Sequence, residues 1–532
     1  SEKMPEPASY PTGCKRTVIV LTTISAAIME LIDTSIVNVG LTDISGSLGA
    51  TIEDTSWLIT AYAIANVIII PLTGFLAKYF GRKNYYLTSI VIFTVASYLC
   101  GESNSLIELI AWRFIQGIGG GALLSTSQSI LFDSFQPEKR AMASAMFGMG
   151  IVLGPTIGPT LGGYIIEHSS WPLIFFINIP FGIVAVLLTW MYIDRKPDEI
   201  NIKRKEIHID YTGILLLAIG VSSLQYVLER GQTEDWFNSS NIIYLSILSV
   251  FGIGFFIWHE LRHPHPAIDL RIIQNRNLFA SNVLTFVCGF GLFGSVFIFP
   301  VLVQRVMGYT AMEAGLGIVP SAITAIFMMP FIGKGISSGI RPIYFVMTGF
   351  VIFILHGYFS SMANLDSSRQ WFIVPQILRG IGTSFLMVPL INQAVIGISP
   401  QKMPYAISLT NMLRQLGGSF GIAIMNTYVA QRAVIHRTDL VANLTANDPE
   451  TTERLKQVAA FAMSKGYSPQ QATQAGYQII EGILTKQSFL KAYLDGFLLI
   501  SVFLICAVPF IFLLDTKKQS AASLAKVAEE AH

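Results

Sequence analysis

Charge is scarce in this chain. Of 532 residues, 35 are Lys or Arg and 33 are Asp or Glu, 13% in all, where an average soluble domain carries about 25%. So little charge beside 52% hydrophobic residues excludes an intrinsically disordered chain and argues against a soluble multidomain enzyme. A net charge of +2 provides no basic field for nucleic acid. Cysteine is scarcer still. Cys14, Cys100, Cys288 and Cys506 lie far apart with no CxxC pair, so the cysteines suggest neither a zinc site nor a disulfide framework. No metal and no cofactor are expected. No Walker loop, no HExxH zinc site and no phosphate-binding GxGxxG after a strand are expected; GIGGG at 117–121 belongs to an apolar stretch. The chain does not read as an enzyme.

Uncharged length is what the chain has in abundance. A helix crossing the hydrocarbon of a bilayer needs about 20 mostly apolar residues. Reading between charges yields fourteen such stretches: 17–39, 56–77, 84–101, 109–132, 141–166, 169–193, 211–228, 237–258, 277–304, 314–333, 342–365, 370–401, 403–431 and 496–514. Glu30 and Asp33 interrupt the first, Arg113 the fourth, Arg379 the twelfth and Arg414 the thirteenth. Only helices and closed barrels satisfy their backbones in lipid, and these runs are too long and too evenly apolar for barrel strands. The fold class expected is an all-α polytopic membrane protein of fourteen transmembrane helices. The first stretch is long enough to serve as an uncleaved span rather than a signal peptide.

Lys and Arg gather after even-numbered stretches, as at Lys78, Arg82, Lys83, Lys139, Arg140, Arg195 and Lys196, and thin to Arg230, Arg305 and Arg369 after odd-numbered ones. The positive-inside rule then puts both termini in the cytoplasm. The polar segment 432–490 falls outside, and long loops obey that rule poorly. Its Ala/Gln/Glu/Lys content and the N-cap-like Ser468 before Pro469 suggest one or two external helices, serving either to dock a partner or as a solvated connector.

The chain also repeats itself. GFLAKYFGR (74–82) after the second stretch and GKGISSGIR (333–341) after the tenth both place Gly and Arg eight apart, and RFIQGIG (113–119) in the fourth has a counterpart, QILRGIG (376–382), in the twelfth. The two offsets nearly coincide. The expected organisation is a tail 1–16, a six-helix bundle 17–193, a linker with two inserted helices 194–276, a second six-helix bundle 277–514 carrying the outer loop 432–490, and a tail 515–532. Parallel repeats with a site at their interface near the bilayer midplane are a transporter architecture.

Ionisable residues inside the spans mark the candidate sites, because a charge at mid-bilayer costs about 2.5–3.5 kcal/mol on insertion scales. Glu30 and Asp33, three apart, share one face of the first helix. A carboxylate removed from water holds its proton more tightly, so either suits proton coupling. Either also reads as a structural hydrogen-bond partner, and Glu30 as the negative charge that attracts a cationic solute. Arg113 does not deprotonate; it acts by its field on a nearby carboxylate or pairs with carbonyls. Arg414, with Asn411 and Gln415 beside it, reads as hydrogen-bonding a solute, as lining a wet cavity, or as structural. Gly150, Gly154, Gly158 and Gly162 recur every four residues and form one bare face, while Pro155 and Pro159 favour a bend. That is a hinge or a tight seal between halves, or helix packing alone. The Phe, Met and Ile of the spans suit apolar or amphipathic ligands, or simply lipid.

In order and on the right spans, these motifs resemble signatures of the major facilitator superfamily. Residues 74–83 resemble its loop 2–3 signature, 109–119 its fourth-helix Arg signature, and GIVLGPTIGPTLGG (150–163) the fifth-helix antiporter signature of its drug exporters. LIDTSIVNV (31–39) resembles the first-helix signature of the fourteen-helix drug:proton antiporters, and Trp171 with FINIPFG (176–182) fits as well. The resemblance covers nearly the whole chain. It implies the major facilitator fold, and a proton-coupled multidrug exporter of a bacterial inner membrane working by alternating access. It implies Asp33, with Glu30 and Arg113, as the proton-coupling group. Asn38 and Gln116, polar positions within the matching motifs, join Glu30, Asn411, Arg414 and Gln415 as substrate-binding candidates. Gly74, Gly81 and Arg82 join Gly150, Gly154, Pro155, Gly158, Pro159 and Gly162 as conformational residues. The implied partners are small hydrophobic substrates, protons, the bilayer, and a periplasmic adaptor with an outer-membrane channel. In one departure Lys78 stands where the loop signature usually has an acid, leaving the acid–base lock of that loop without its acid. With no nucleotide site, the energy is a gradient's: about 2.3 kcal/mol per charge per 100 mV and about 1.4 kcal/mol per pH unit. The alternatives are an exporter of one physiological amphiphile (a fatty acid, siderophore or lysolipid) and a non-transporting receptor or scaffold.

Overall fold

The computed structural model describes residues 10–196, 199, 207–444 and 448–514. The tail residues 1–9 and 515–532 and the basic residues Lys203, Arg204 and Lys205 lie outside the described residues. Fifteen helices of more than three turns carry the described chain: α1 Gly13–Leu48, α2 Trp57–Phe80, α3 Arg82–Glu102, α4 Leu106–Asp133, α5 Arg140–His168, α6 Asn178–Tyr192, α7 Tyr211–Arg230, α8 Ser240–Arg262, α9 Arg276–Arg305, α10 Ala311–Ser337, α11 Pro342–Ser360, α12 Ile373–Gln393, α13 Met403–Val441, α14 Pro449–Ser464 and α15 Pro469–Ile511. The protein is all-helical and spans the membrane many times. Twelve of these helices are long and apolar enough to cross a membrane. α3 and α13 are also long enough but more polar: Ser89, Thr94 and Ser97 on α3, and Asn411 and Arg414 on α13, point into the protein and are buried. Short-range chemistry sets the helix starts. The Ser105 hydroxyl accepts from the Glu108 amide at α4, and reciprocal capping boxes open α10 (Thr310, Glu313) and α15 (Ser468, Gln471).

The face from which α1 enters is called near, and the opposite face far. The packing of the first six helices recurs in the last six. Gly117 presses α4 onto Tyr62 and Ala65 of α2, and Gly380 presses α12 onto Ser321 and Thr324 of α10. Gly119 meets Ser89 and Phe93 of α3, as Gly382 meets Phe353 of α11. Small residues let backbones approach closely where lipid offers no hydrophobic drive for association. The two sets of helices meet along α5–α10 and α2–α13. Gly333 lies on Ala141 and Ala145 near one end of the first seam and Gly315 on Thr160 near the other. On the second seam the Thr73 and Ser408 hydroxyls are 2.6 Å apart. The inserted pair, α7 and α8, touches both sets: Gln225 donates to Ser419 at 3.0 Å, while Arg230 donates to Ser56 at 2.7 Å.

Segment 432–490 is not a loop. α13 and α15 run on for 39 and 43 residues, and 39 residues at 1.5 Å each reach about 58 Å, nearly twice a hydrocarbon core of about 30 Å. Their charged ends form a projecting hairpin closed by α14. Arg432 Nε at 2.6 Å and His436 Nε2 at 2.7 Å both hold Asp495 Oδ2, and Arg437 holds Glu481. The helix that carries the last span therefore begins well before residue 496. Charge ends an apolar run in sequence, but it does not end a helix that emerges into water.

Candidate functional site

Asp33 and Glu30 hang from one face of α1, and the neighbouring helices treat them differently. Asp33 is fully buried. Its Oδ2 takes the Arg113 Nη1 ion pair at 2.5 Å; its Oδ1 accepts from Gln116 Nε2 at 2.9 Å and from Asn178 Nδ2 at 2.8 Å. Asn178 Nδ2 also donates to Ser97 Oγ at 3.0 Å. Arg113 donates to Gln116 Oε1 at 2.8 Å and to the Leu58 carbonyl, and its guanidinium lies 4.2 Å from the centre of the Tyr62 ring. Four helices thus converge on one ion pair whose two carboxylate oxygens are both occupied. Glu30 is also buried, but only Oε1 is satisfied, by Asn66 at 3.0 Å, Tyr62 at 3.2 Å and Thr34 at 3.4 Å. Its Oε2 has no hydrogen-bond partner.

Across the α2–α13 seam stands Arg414, within electrostatic reach of Glu30. Its Nη2 donates to Asn411 Oδ1 at 2.5 Å, and Asn411 Nδ2 in turn donates to Ser125 at 3.0 Å and Gln128 at 2.9 Å on α4. Arg414 Nη1 is buried without a partner, as is Nη1 of Arg379, which donates through Nε to Ser321 at 3.0 Å. Where Arg113 meets an acid, neither arginine of the second half pairs with a carboxylate among the described residues. A cavity of about 640 Å³ lies toward the near face, lined by Thr73, Lys78, Ser125, Ser129, Tyr405 and Ser408 among others. Its Ser125 is one hydrogen bond from the Asn411–Arg414 pair.

Of the substrate-binding candidates, Glu30, Gln116, Asn411 and Arg414 are buried in this interior, Gln415 is half-buried, and Asn38 is exposed. None of the six lines the cavity. Gly74 packs against Pro404 and Tyr405 on the other side of the seam, and Gly81 takes a left-handed φ of 86° at the start of α3. Arg82 pairs with Asp133 at the end of α4, which also holds Lys196 at 2.7 Å. The acid that meets Arg82 on the near face is thus Asp133, on α4, and not a residue at position 78. Of the readings offered for Gly150, Gly154, Gly158 and Gly162, their contacts fit helix packing. The four glycines face Ile28, Leu31, Ser35 and Ile36 of α1, so they fasten α1 within the first half and do not seal the two halves together. Pro155 and Pro159 sit inside α5, which continues through both.

Sequence reasoning passed over Tyr62, Asn66, Ser125 and Gln128, polar residues in apolar runs whose positions alone were the available signal. It quoted Asn178 without giving it a role. The expectation of no HExxH is wrong: HELRH stands at 259–263, its two His four residues apart at the end of an apolar stretch.

With this geometry in view, comparison with known proteins is direct. The pattern of the Major Facilitator Superfamily matches residues 23–422. The chain is 36% identical over 464 residues to the multidrug export protein EmrB of Haemophilus influenzae, covering 85% of this chain and 89% of that one. With EmrB of Escherichia coli K12 it shares 34% identity, over 87% and 91%. It is 32% identical to the fatty acid resistance protein FarB of Neisseria gonorrhoeae, over 92% and 94%. Among solved structures, the human organic anion transporter MFSD10 (TETRAN) shares the fold at a TM-score of 0.55 and 14% identity, covering 93% of this chain and 100% of that one. Matched over most of its length, the chain belongs to the Major Facilitator Superfamily.

Proposed function

We propose that this protein exports hydrophobic or amphipathic solutes across a bacterial inner membrane in exchange for protons, with both termini in the cytoplasm. Residues 17–193 and 277–514 rock against each other about a central site. The observation that carries the reading is the unequal pair on α1. Asp33 has both carboxylate oxygens taken up by Arg113, Gln116 and Asn178. Glu30, with one oxygen unclaimed and Arg414 within electrostatic reach, is where a proton enters or leaves as the seam moves. Arg113 makes proton loading of Asp33 depend on conformation, because the guanidinium must withdraw before the carboxylate accepts. In everted vesicles, Asp33→Asn and Glu30→Gln each abolish drug-dependent proton release; unchanged coupling in both sinks the assignment.

A second reading within the same mechanism is one physiological amphiphile of anionic character. It is favoured by Arg379 and Arg414, which lack a carboxylate partner among the described residues, and by the fatty acid resistance protein among the relatives. A panel of cationic, neutral and carboxylate amphiphiles separates the two. The projecting hairpin around 432–490 is the surface offered to a periplasmic adaptor leading to an outer-membrane channel. Deleting 435–485 is expected to abolish co-purification with such an adaptor.

A further inference from the structure

The inserted pair carries chemistry that movement across the seam does not use. HELRH (259–263) ends α8, and its near-face end lies beside the start of α7. His259 Nε2 is 2.8 Å from Asp210 Oδ1 and 3.0 Å from Oδ2; His263 Nδ1 is 3.8 Å from Oδ2. The donor atoms of these three residues all lie within 4.8 Å of one another. Glu260, between the two histidines in sequence, is fully buried. Its Oε2 accepts the Ile268 amide at 3.0 Å, while Oε1 is buried with no hydrogen-bond partner. Glu260 Oε1 and Asp210 Oδ2 crowd the same point beside Gly213, where a Cβ would overlap both. Two carboxylates thus converge with no Lys or Arg paired to either among the described residues. Two ionised carboxylates so placed repel, and either a proton shared between Asp210 and Glu260 or a cation held by both removes the conflict.

We propose that Asp210, His259 and His263, with Glu260 as the fourth donor, form a binding site for one divalent transition-metal ion, with zinc the best match to two imidazole nitrogens and two carboxylate oxygens. Zinc accepts these donors at about 2.0–2.2 Å in a tetrahedron, and histidines four apart on one helical turn present their rings to the same ion. The hard cations calcium and magnesium favour all-oxygen shells, so the imidazoles select against them. The site is built to hold rather than to hydrolyse. In a hydrolytic HExxH the Glu faces an open coordination position as a base, whereas Glu260 has no exposure to water and is tied to the Ile268 amide. Its effect is mechanical: the ion pins the turn at 263–269, including buried Ala267 and Ile268, beneath the start of α7, and so fixes the inserted pair on the near face.

The test uses tag-free full-length protein in lipid nanodiscs, stripped by a chelator, dialysed, and titrated with zinc chloride. One zinc per chain is expected after desalting, with an X-ray absorption spectrum of nitrogen and oxygen scatterers at about 2.0–2.1 Å. The double variant His259→Ala, His263→Ala is expected to lose at least about 100-fold in zinc affinity, while His436→Ala on the far-face hairpin keeps it. The wild-type spectrum does not depend on any variant folding. Zinc far below one equivalent on the wild-type protein, sulfur scatterers, or full affinity in a folded double variant each overturns the proposal.

Discussion

Asp33 and Glu30 lie one turn apart, yet removing their charges should have different consequences. Asp33→Asn leaves the Arg113 guanidinium buried without its counterion, and breaking a buried pair from one side costs about 3–5 kcal/mol. Its unfolding temperature in detergent should therefore fall clearly. Replacing both partners by apolar groups of similar size is often nearly neutral, so Asp33→Leu with Arg113→Leu should recover much of that stability without recovering coupling. Glu30→Gln keeps an oxygen for Tyr62 and Asn66 and removes no ion pair. It should change stability by less than about 1 kcal/mol while losing proton exchange. If Glu30→Gln unfolds as readily as Asp33→Asn, the division of labour between the two acids is wrong. Side-chain type and location inside a span made both acids legible from sequence. Their partners were not legible, since Asn178 and Gln116 lie 145 and 83 residues away and spacing along a chain does not say which helices become neighbours.

The contact between α1 and α5 makes a prediction about whole helices. At Gly158 a Cβ would overlap Ser35 Oγ and crowd its Cβ and the Ile32 carbonyl. Gly158→Ala should push the helices apart at the level of Asp33 and cost about 1–3 kcal/mol, the usual penalty for overpacking. Ser35→Ala removes the nearest atom, so the double variant should regain part of the folded yield and of transport. No rescue would mean that the damage lies elsewhere than in this contact. The four-residue glycine period announced a bare face, but the sequence did not say that α1 of the same half would cover it. Charge-free length located the helices for the same reason that lipid selects them, whereas the ends of α13 and α15 were misjudged because an emerging helix tolerates Arg432, Arg437 and Glu481 in water. The Arg82–Asp133 ion pair was hidden because its acid belongs to another helix end, 51 residues away.

Rocking of one half against the other requires that closing the near face opens the far face. Gly74 on α2 packs 3.1 Å (as a built Cβ) from the Tyr405 ring and amide and 3.2 Å from the Pro404 carbonyl carbon, so a large side chain there holds the near ends of α2 and α13 apart. Gly315 on α10 meets Thr160 on α5 toward the far face, where a Cβ would stand 2.6 Å from its hydroxyl, so a large side chain there props the far end. Ser408, buried beside Thr73 and lining the near-face cavity, reports which face is open. With Ser408→Cys as the reporter in everted vesicles, Gly74→Leu should speed labelling by a membrane-impermeant maleimide several-fold, and Gly315→Leu should slow it. A two-state seam responds to wedges at its opposite ends with opposite signs, because each wedge stabilises one state at the expense of the other. Labelling that rises in both variants would mean local loosening at each contact, and a pair of bundles that does not move as rigid bodies.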